Sequence, residues 1–251
     1  MATKENIYLS KIRRKETGLS TSTYPFSIPV IRHLQSLSFH KSVTYIVGPN
    51  GSGKSTILEA IAVLLRINPE GGSRNFNFHT VETHSRLFEG LVAVRADLTY
   101  KDTFFFRAES YYNVASEIDR LAEMDPRFYA NYGGRSIHTR SHGEGFMSLI
   151  QNRLKGRGIY IFDEPEAALS FNNQLAFLCW IKEAIKIGAQ IIIATHSPVI
   201  LSYPDAEIYE IKDDIIDSVS YEDCSVFRDI YGFMLNRELY LRELGLLSQT
   251  P

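Results

Sequence analysis

A glycine-rich stretch near the start of the chain carries its clearest chemical pattern. The stretch "GPNGSGKST" fits G-x-x-x-x-G-K-[ST], with Gly48, Gly53, Lys54 and Ser55 at the defining positions. Glycines let successive backbone N–H groups turn towards phosphate oxygens, and a helix that begins beside them adds partial positive charge. The spacing therefore predicts a nucleotide-phosphate site made of nine consecutive residues: Gly48, Pro49, Asn50, Gly51, Ser52, Gly53, Lys54, Ser55 and Thr56.

Two side chains of this stretch have more specific expected roles. Lys54 is expected to contact the outer phosphates, and Ser55 to offer its hydroxyl to Mg²⁺. The alternative is a glycine-rich turn with a solvated lysine. The strand-like "SVTYIVG" before the stretch and the helix-like "KSTILEAIAVLLRI" after it favour the phosphate site, because the pattern requires this strand-turn-helix context.

An acidic pair follows a second apolar segment, "IYIFDEPEAALS". Four apolar residues would bring Asp163 and Glu164 to the C-terminal end of a buried strand, where parallel sheets collect their ligand sites. Asp163 is expected to hold Mg²⁺ through water beside Ser55. Glu164 is expected to orient or deprotonate the water that attacks the γ-phosphate. Without the phosphate stretch upstream, a solvated strand end would be the simpler interpretation.

A third apolar segment, "IIIATHSP", brings His196 to the end of a strand. Its imidazole could donate a hydrogen bond to the γ-phosphate or to the water held by Glu164. A lone histidine at a strand end is more often a half-buried polar residue. The expected role of His196 therefore depends on the presence of the other two motifs in the same chain.

The segment "RSHGEGFMSLI" has two interpretations. Ser141, followed by Glu144 and an apolar run, forms a capping-box pattern for a helix N-terminus. The free N–H groups and the dipole of such an N-terminus also suit an anion, and Gly143 would let a phosphate approach closely. The two interpretations are compatible, so Glu144 is a candidate both for the cap and for the nucleotide site.

In chain order, "GPNGSGKST", "SHGEG", "IYIFDEPEAALS" and "ATHS" resemble the Walker A, signature, Walker B with D-loop, and H-loop motifs of ABC-type ATPases. The resemblance extends from Val43 to Pro198. Three longer stretches, "FFFRAESYYNVA", "YGGRSIHTRSHGEGF" and "DEPEAALS", resemble a group of small stand-alone bacterial AAA-family ATPases. That group is related to the SMC and overcoming-lysogenization-defect ATPases.

The resemblance implies an enzyme that hydrolyses ATP with Mg²⁺ and forms a head-to-tail homodimer around two ATP molecules. Ser141 and Gly143 of one subunit would face the γ-phosphate held by Lys54 of the other. Ser170 would correspond to the end of the D-loop at the same interface. ATP would then hold the dimer together, and hydrolysis would release it.

The chain departs from the ABC pattern in two respects. No glutamine occurs from Ser55 to Arg140, where the family places a metal-contacting Q-loop. Glu109, after "TFFFRA", is the nearest candidate for that role, since a carboxylate can also bind Mg²⁺. The region between the motifs contains one clear helical stretch and lacks sustained heptads, which excludes a long SMC-like coiled coil.

The elements that must position these residues follow from the apolar periodicity. Helices are expected over residues 54–67, 113–124, 144–155 and 170–187, and strands in "IYLSKIRR", "FSIPVIRHL", "GIYIFDE", "AQIIIAT" and "EIYEIKD". "LVAVRADLTY" and "TFFFRAES" are expected to pair with each other. The C-terminal segment has helical spacing and is expected to pack on the core, with contact to a partner as the alternative.

Apolar central strands that alternate with helices predict an α/β fold with a mainly parallel, buried sheet. With the motifs, this indicates a P-loop NTPase of the ABC ATPase type, with an N-terminal antiparallel β portion and a small helical insertion. We expect one domain over residues 1–251, with the insertion and signature region at about 110–157.

Composition limits the other functional classes. The 27 Lys and Arg and 29 Asp and Glu give a net charge of −2, so no overall positive field attracts nucleic acid or anionic lipid. The two cysteines lack metal-binding spacing. No stretch approaches the roughly 18 apolar residues of a membrane span, and no signal peptide is apparent, so a cytoplasmic protein is expected.

Three functional hypotheses remain open from the sequence. The first is a dimerising ATPase that is the motor or sensor of a nucleic-acid-linked repair or defence process, with nucleic acid or an effector protein as partner. The second is the ATP-binding subunit of a membrane transporter, which the absent Q-loop glutamine and the degenerate "SHGEG" oppose. The third is a nucleotide-dependent binding switch with little turnover, because no pattern proves that Glu164 catalyses.

Overall fold

Two sheets form the framework of the computed structural model, which describes residues 5–16, 22–72, 85–96 and 98–248. The strands in this part of the chain are β1 (Leu9–Arg14), β2 (Ser36–Ser38), β3 (Val43–Val47), β4 (Leu91–Arg95), β5 (Asp102–Arg107), β6 (Gly158–Asp163), β7 (Gln190–Ala194), β8 (Glu207–Lys212) and β9 (Ile215–Ser218). The α-helices are α1 (Pro29–His33), α2 (Lys54–Leu64), α3 (Tyr111–Met124), α4 (His142–Arg153), α5 (Phe171–Lys186), α6 (Pro198–Leu201), α7 (Ser225–Leu235) and α8 (Arg237–Glu243).

The larger sheet has the strand order β5-β6-β7-β3-β8-β9. Every pair in it is parallel except β8 with β9. All residues of β3, β6 and β7 are buried, as expected for the apolar central strands of a sheet that is covered on both faces. The expected α/β fold with a mainly parallel central sheet is therefore confirmed.

The smaller sheet has the order β2-β1-β4 and is antiparallel throughout. Two of its strands come from the first 38 residues, so it is the expected N-terminal antiparallel portion. Helices α3 and α4 lie between β5 and β6 in the chain and form the expected insertion. No helix of the described residues is long and apolar enough to cross a membrane.

Successive side chains of the central strands enter two different cores, because neighbouring strand residues point to opposite faces. Phe162 shares one core with Phe146 of α4 and Phe177 of α5, whose rings lie 6.3 and 5.1 Å from its own. Ile161 belongs to the other core, together with Ile57 of α2 and residues of the smaller sheet. Helices thus cover one face, and α2 with the smaller sheet covers the other.

The expectation of a strand in "FSIPVIRHL" is wrong, because residues 29–33 form helix α1. Pro29 stands at the first helical position, where its fixed φ suits a helix, and Ile28 before it is extended. Val30 and Ile31 are buried in the core. A short apolar run fits a strand or a buried helical turn equally well, so periodicity could not separate them here.

The expected pairing of "LVAVRADLTY" with "TFFFRAES" is also wrong. Strand β4 pairs with β1 in the smaller sheet, and β5 pairs with β6 in the larger one. The burial patterns give the reason: β4 is half exposed, whereas the four central residues of β5 are buried. A strand buried on both faces belongs inside a covered parallel sheet, and a half-exposed strand suits an antiparallel edge.

Among the described residues, the expected packing of the C-terminal helices on the core is found only at the start of α7, where Val226 contacts the core. Neither α7 nor α8 contains a buried residue in the described part of the chain. The expected bounds of two earlier helices differ from the observed bounds by one or two residues. Helix α4 covers 142–153 instead of 144–155, and α5 covers 171–186 instead of 170–187.

One buried side chain joins the two sheets. Gln190, fully buried at the start of β7, accepts hydrogen bonds from the backbone N–H groups of Tyr8 and Leu9 at 2.8 and 2.9 Å. Its Nε2 donates to the carbonyl of Leu9 at 2.8 Å. The smaller sheet is therefore attached to the strand that ends near His196.

We expect Gln190→Leu to lower the free energy of unfolding by about 2–4 kcal/mol, because it leaves buried backbone groups at Tyr8 and Leu9 without partners. Urea denaturation measures the loss. The matched control is Gln151→Leu on the exposed side of α4, for which a change within about 0.5 kcal/mol is expected. Equal stabilities of the two variants would contradict this role of Gln190.

Candidate nucleotide site

The phosphate loop, residues 48–56, joins β3 to α2 in the expected strand-turn-helix order. Gly51 and Gly53 have φ of 76° and 100°, in the left-handed region that favours glycine. A Cβ at Gly48 would lie 2.9 Å from both the Cβ and the carbonyl oxygen of Ile211, so the loop also needs glycine there for space. These constraints explain why the loop contains glycines at these positions.

Lys54 is buried at the start of α2, with 4% of its surface exposed. Its Nζ donates hydrogen bonds of 2.9 Å to the carbonyls of Gly48 and Pro49. Burial lowers the pKa of Lys54, while the nearby carboxylates of Glu164 and Asp163 raise it. The ammonium group is thus held inside the loop by neutral acceptors, which phosphate oxygens could replace.

Ser55 and Asp163 meet at the end of β6. The hydroxyl of Ser55 donates to Oδ1 of Asp163 at 3.1 Å. Asp163 is 4% exposed, and burial raises its pKa to about 6. A hydroxyl and a buried carboxylate are hard oxygen ligands of the kind that Mg²⁺ prefers, and a cation there would favour the ionised carboxylate. The pair therefore fits the metal role that the sequence assigns to it.

Glu164 and His196 lie side by side at the same edge of the sheet. Oε1 of Glu164 is 3.6 Å from Nε2 of His196, and the two side chains are 43% and 35% exposed. Nε2 of His196 is itself buried and has no hydrogen-bond partner among the described residues. Glu164 adopts a left-handed backbone with φ of 50°, and its N–H donates to the carbonyl of Ala194 at 2.9 Å. This backbone hydrogen bond therefore holds Glu164 beside the end of β7.

Glu166 was missed in the sequence and supports the His196 segment. Its carboxylate accepts hydrogen bonds from the hydroxyl of Thr195 at 2.8 Å and from the backbone N–H of His196. Burial raises the pKa of Glu166, although these bonds counteract the rise. The signal in the sequence was the third acid of "DEPE", two positions after Glu164.

Arg107, at the end of β5, was also missed. Its guanidinium contacts the buried carboxylate of Glu59, and Nη2 lies 3.2 Å from Glu109. Nε lies 3.9 Å from Oδ2 of Asp163. The basic residue after "TFFF" was the available signal, since β5 runs parallel to β6 with Arg107 level with Asp163.

Glu109, the candidate for the Q-loop role, has a carboxylate that is 83% exposed and contacts Arg107. It is joined to Asp163 through that arginine, and its metal role stays a prediction. Among the described residues, no group of three or more His, Cys, Asp or Glu side chains could hold a metal ion. Ser55 and Asp163 contribute only one carboxylate between them, so this pair is not such a group.

Ser141 caps α4, as the sequence predicts. Its Oγ accepts from the N–H of Glu144 at 3.4 Å, and the carboxylate of Glu144 accepts from the N–H of Ser141 at 3.1 Å. A Cβ at Gly143 would lie 2.6 Å from Nδ2 of Asn173. Ser170 in turn caps α5 by accepting from the N–H of Asn173 at 3.4 Å. The signature residues and Ser170 therefore lie together.

A cavity of about 410 Å³ opens beside the phosphate loop. Gly48, Pro49 and His196 line it on one side, and residues of the first turns of α7 line it on the other. His196 thus faces the space next to the loop, as the expected contact with a γ-phosphate requires.

Comparisons with known proteins show the family of the chain. A family profile described as "AAA domain" matches residues 26–154, and a second, described as "AAA domain, putative AbiEii toxin, Type IV TA system", matches residues 145–202. A cytochrome c biogenesis ATP-binding export protein of Paracoccus denitrificans is 30% identical over 166 residues, which cover 65% of this chain and 73% of that protein.

Two further matches have lower sequence identity. An uncharacterized ABC transporter ATP-binding protein of Haemophilus influenzae is 27% identical over 187 residues, which cover 67% of this chain and 69% of that protein. The SMC head domain from Thermotoga maritima is 18% identical, covers 85% of this chain and 98% of that chain, and has a TM-score of 0.40. The chain belongs to the AAA-domain family and is an ABC-type P-loop ATPase, which binds and hydrolyses ATP.

We expect Arg107→Leu to lower the free energy of unfolding by about 2–4 kcal/mol, because it leaves Glu59 buried and unpaired. Replacing both residues in Arg107→Leu with Glu59→Leu is expected to restore at least half of that loss. The matched control is Arg127→Leu, whose ion pair with Asp125 is exposed and contributes under about 1 kcal/mol. Chemical denaturation of the four proteins compares them, and a double variant less stable than Arg107→Leu would contradict the pairing.

Proposed function

We propose that this ATPase acts as a head-to-tail homodimer, in which each ATP lies between the phosphate loop of one subunit and the N-terminus of α4 of the other. The hydrogen bonds that the structure gives Ser141 and Ser170 are local to their own helix starts. Within the described residues, none of these bonds reaches the phosphate loop. Ser141 and Glu144 are exposed, so the N-terminus of α4 is accessible to the nucleotide of a second subunit.

The phosphate loop would hold the ATP phosphates through its backbone N–H groups and Lys54. On binding, Nζ of Lys54 would exchange the carbonyls of Gly48 and Pro49 for β- and γ-phosphate oxygens, which are stronger partners because they are charged. The N-terminus of α2 adds its dipole to the same oxygens. The loop therefore orients the γ-phosphate towards the side lined by His196.

Ser55 and Asp163 would hold Mg²⁺, with Glu109 as a further candidate ligand. When bound, the metal would neutralise the charge that develops on the β- and γ-phosphates. Arg107 would keep the carboxylate of Asp163 in place, since its guanidinium joins Asp163 to Glu59. The donor set suits Mg²⁺, because it offers few protein ligands and leaves positions for water and phosphate.

Glu164 would accept a proton from the attacking water while that water aligns with the γ-phosphate. His196, 3.6 Å from Glu164, would donate a hydrogen bond from its unpartnered Nε2 to the γ-phosphate or to the water. Glu166 would fix the position of His196 through its backbone N–H. Ser141 of the second subunit would contact the γ-phosphate from the opposite side and make turnover depend on dimerisation.

Two processes remain candidates for the ATPase. A defence or repair role, with nucleic acid or an effector protein as partner, is supported by the profile for a putative AbiEii toxin over residues 145–202. A transporter subunit is supported by relatives that are named as ATP-binding import or export proteins. The absence of a glutamine between Ser55 and Arg140 weighs against the transporter. Co-purification with an ATP-bound, slowly hydrolysing variant would identify the partner.

We expect Glu164→Gln to reduce ATP turnover about 100-fold or more and to retain ATP binding, because it removes the proposed base and keeps the shape of the side chain. In sedimentation experiments the variant should accumulate as an ATP-bound dimer. The matched control is Glu183→Gln, on the exposed side of α5, which should keep normal turnover. A Glu164→Gln protein with unchanged turnover would contradict the catalytic role. Low ATP turnover in the unmodified chain would favour the third hypothesis, a nucleotide-dependent binding switch.

Mixing two inactive variants tests whether the site is shared. Lys54→Ala should lack the phosphate contact and Ser141→Arg the contact from the second subunit, so each alone should have little activity. In an equal mixture of the two variants, half of the dimers contain one chain of each variant. Each of these dimers has one intact site out of two. The mixture should therefore recover about a quarter of normal turnover. No recovery, despite dimer formation, would indicate a site within one chain.

A further inference from the structure

The C-terminal hairpin, which we define as residues 225–247 with α7 and α8, has a highly apolar exposed surface. Of the nineteen large hydrophobic side chains that are exposed among the described residues, ten lie between residues 230 and 247. The most exposed are Met234 at 71%, Leu246 at 69%, Leu244 at 68% and Leu235 at 64%. Isolated exposed apolar side chains are ordinary, but such a concentration marks an interaction surface.

The hairpin begins directly beside the phosphate loop. In β8, Glu210 is level with Val47, the last residue before the loop. Oε1 of this buried glutamate accepts a hydrogen bond of 2.9 Å from the backbone N–H of Ser225, the first residue of α7. Asp229 and Ile230 then line the cavity that opens onto Gly48. The apolar surface therefore starts at the edge of the nucleotide site.

The size of this surface matches one side of a protein interface. Ten large side chains that each expose about half of their area amount to an apolar surface on the order of 800 Å², similar to what one partner buries in an interface of standard size. Val226 and Phe227 attach the start of α7 to the body through the core and Tyr221. No described residue covers the rest of the hairpin.

The charges of the hairpin argue against nucleic acid or an anionic membrane as its partner. Three arginines, at positions 228, 237 and 242, are balanced by three acids, at positions 229, 238 and 243. Binding to phosphate-rich surfaces depends on an excess of basic residues, and this segment has none. An apolar protein surface is the remaining kind of partner.

A second exposed apolar patch lies beside the signature residues. Phe171 directly follows Ser170 and is 62% exposed, and Leu175, one turn later on the same face of α5, is 43% exposed. Tyr112 is 58% exposed, and its ring lies 4.8 Å from that of His142 at the start of α4. We call these three side chains the signature patch. It adjoins Ser141 and Ser170, which the proposed dimer brings to the nucleotide held by the phosphate loop of the other subunit.

We propose that the C-terminal hairpin of one subunit packs on the signature patch of a second copy of this chain when the two close around ATP. The inference rests on the proposed head-to-tail dimer, in which the phosphate loop of each subunit faces the signature residues of the other. The hairpin extends from the side of the phosphate loop, and the signature patch adjoins the signature residues. Twofold symmetry then makes the contact twice in each dimer.

The test measures ATP-dependent dimerisation in the Glu164→Gln background by sedimentation velocity with ATP and Mg²⁺. Met234→Glu and, separately, Leu244→Glu should weaken the dimer about tenfold or more, because each introduces a charge into an apolar contact. Both side chains are exposed in one subunit, so ATP binding by the monomer and its thermal unfolding should stay unchanged. Phe171→Glu should weaken the dimer in the same way.

The control is Ile187→Glu, an apolar residue that is 46% exposed at the other end of α5, about 24 Å from Phe171 by helix length. It should leave the dimer unchanged. A dimer of unchanged strength in both hairpin variants would overturn the inference and leave the proposed function intact. If the Glu164→Gln protein stays monomeric with ATP, the head-to-tail dimer and the inference fail together. A dimer that needs the hairpin but forms without ATP would also overturn it.

Crosslinking gives an independent measurement. In a Cys179→Ser background, which removes the exposed native thiol, Phe171→Cys with Met234→Cys should form a covalent dimer with a short bis-maleimide only when ATP is present. Ile187→Cys with Met234→Cys should not. ATP-dependent crosslinking from position 187 and none from position 171 would place the hairpin elsewhere and overturn the proposal.

Discussion

The lateral alignment of three buried parallel strands determines where the chemistry of this protein is placed. Ile46 of β3 and Asp163 of β6 are both level with Ala194 of β7, which lies between them. Gly48 follows Ile46 by two positions, and His196 follows Ala194 by two. A slip of one residue in either pairing would turn the side chains of a strand to the opposite face. The apolar residues of these strands therefore specify the core and also the edge of the sheet that carries the candidate site.

This arrangement explains why motifs were found in the sequence with little ambiguity. Each motif combines a buried apolar strand, which is visible as a run of Ile, Val and Phe, with polar residues at its end. The phosphate loop, Asp163, Glu164 and His196 are local patterns of this kind. Parallel strands bring such ends to one edge, so the grouping of the residues followed from the fold class alone.

Residues whose roles depend on distant partners were not found in this way. Arg107 pairs with Glu59, which is 48 positions earlier, and Glu166 contacts His196, 30 positions later. The pairing of β4 with β1 and the helix α1 were missed for the same reason, since tertiary contacts decide between alternatives that local propensity leaves equal. Amphipathic spacing likewise predicted the C-terminal helices but not which surface their apolar side would meet.

The backbone at Glu164 has a wider consequence. Its left-handed conformation, with φ of 50°, costs about 1 kcal/mol or more for a residue with a side chain and nothing comparable for glycine. Selection for stability alone would favour glycine at this position, immediately after the buried strand. The proposed catalytic role of Glu164 therefore sets chemistry against folding stability at this position. Position 164 is therefore where a relative that lost its hydrolytic activity would be expected to change first, to glycine, and to gain stability.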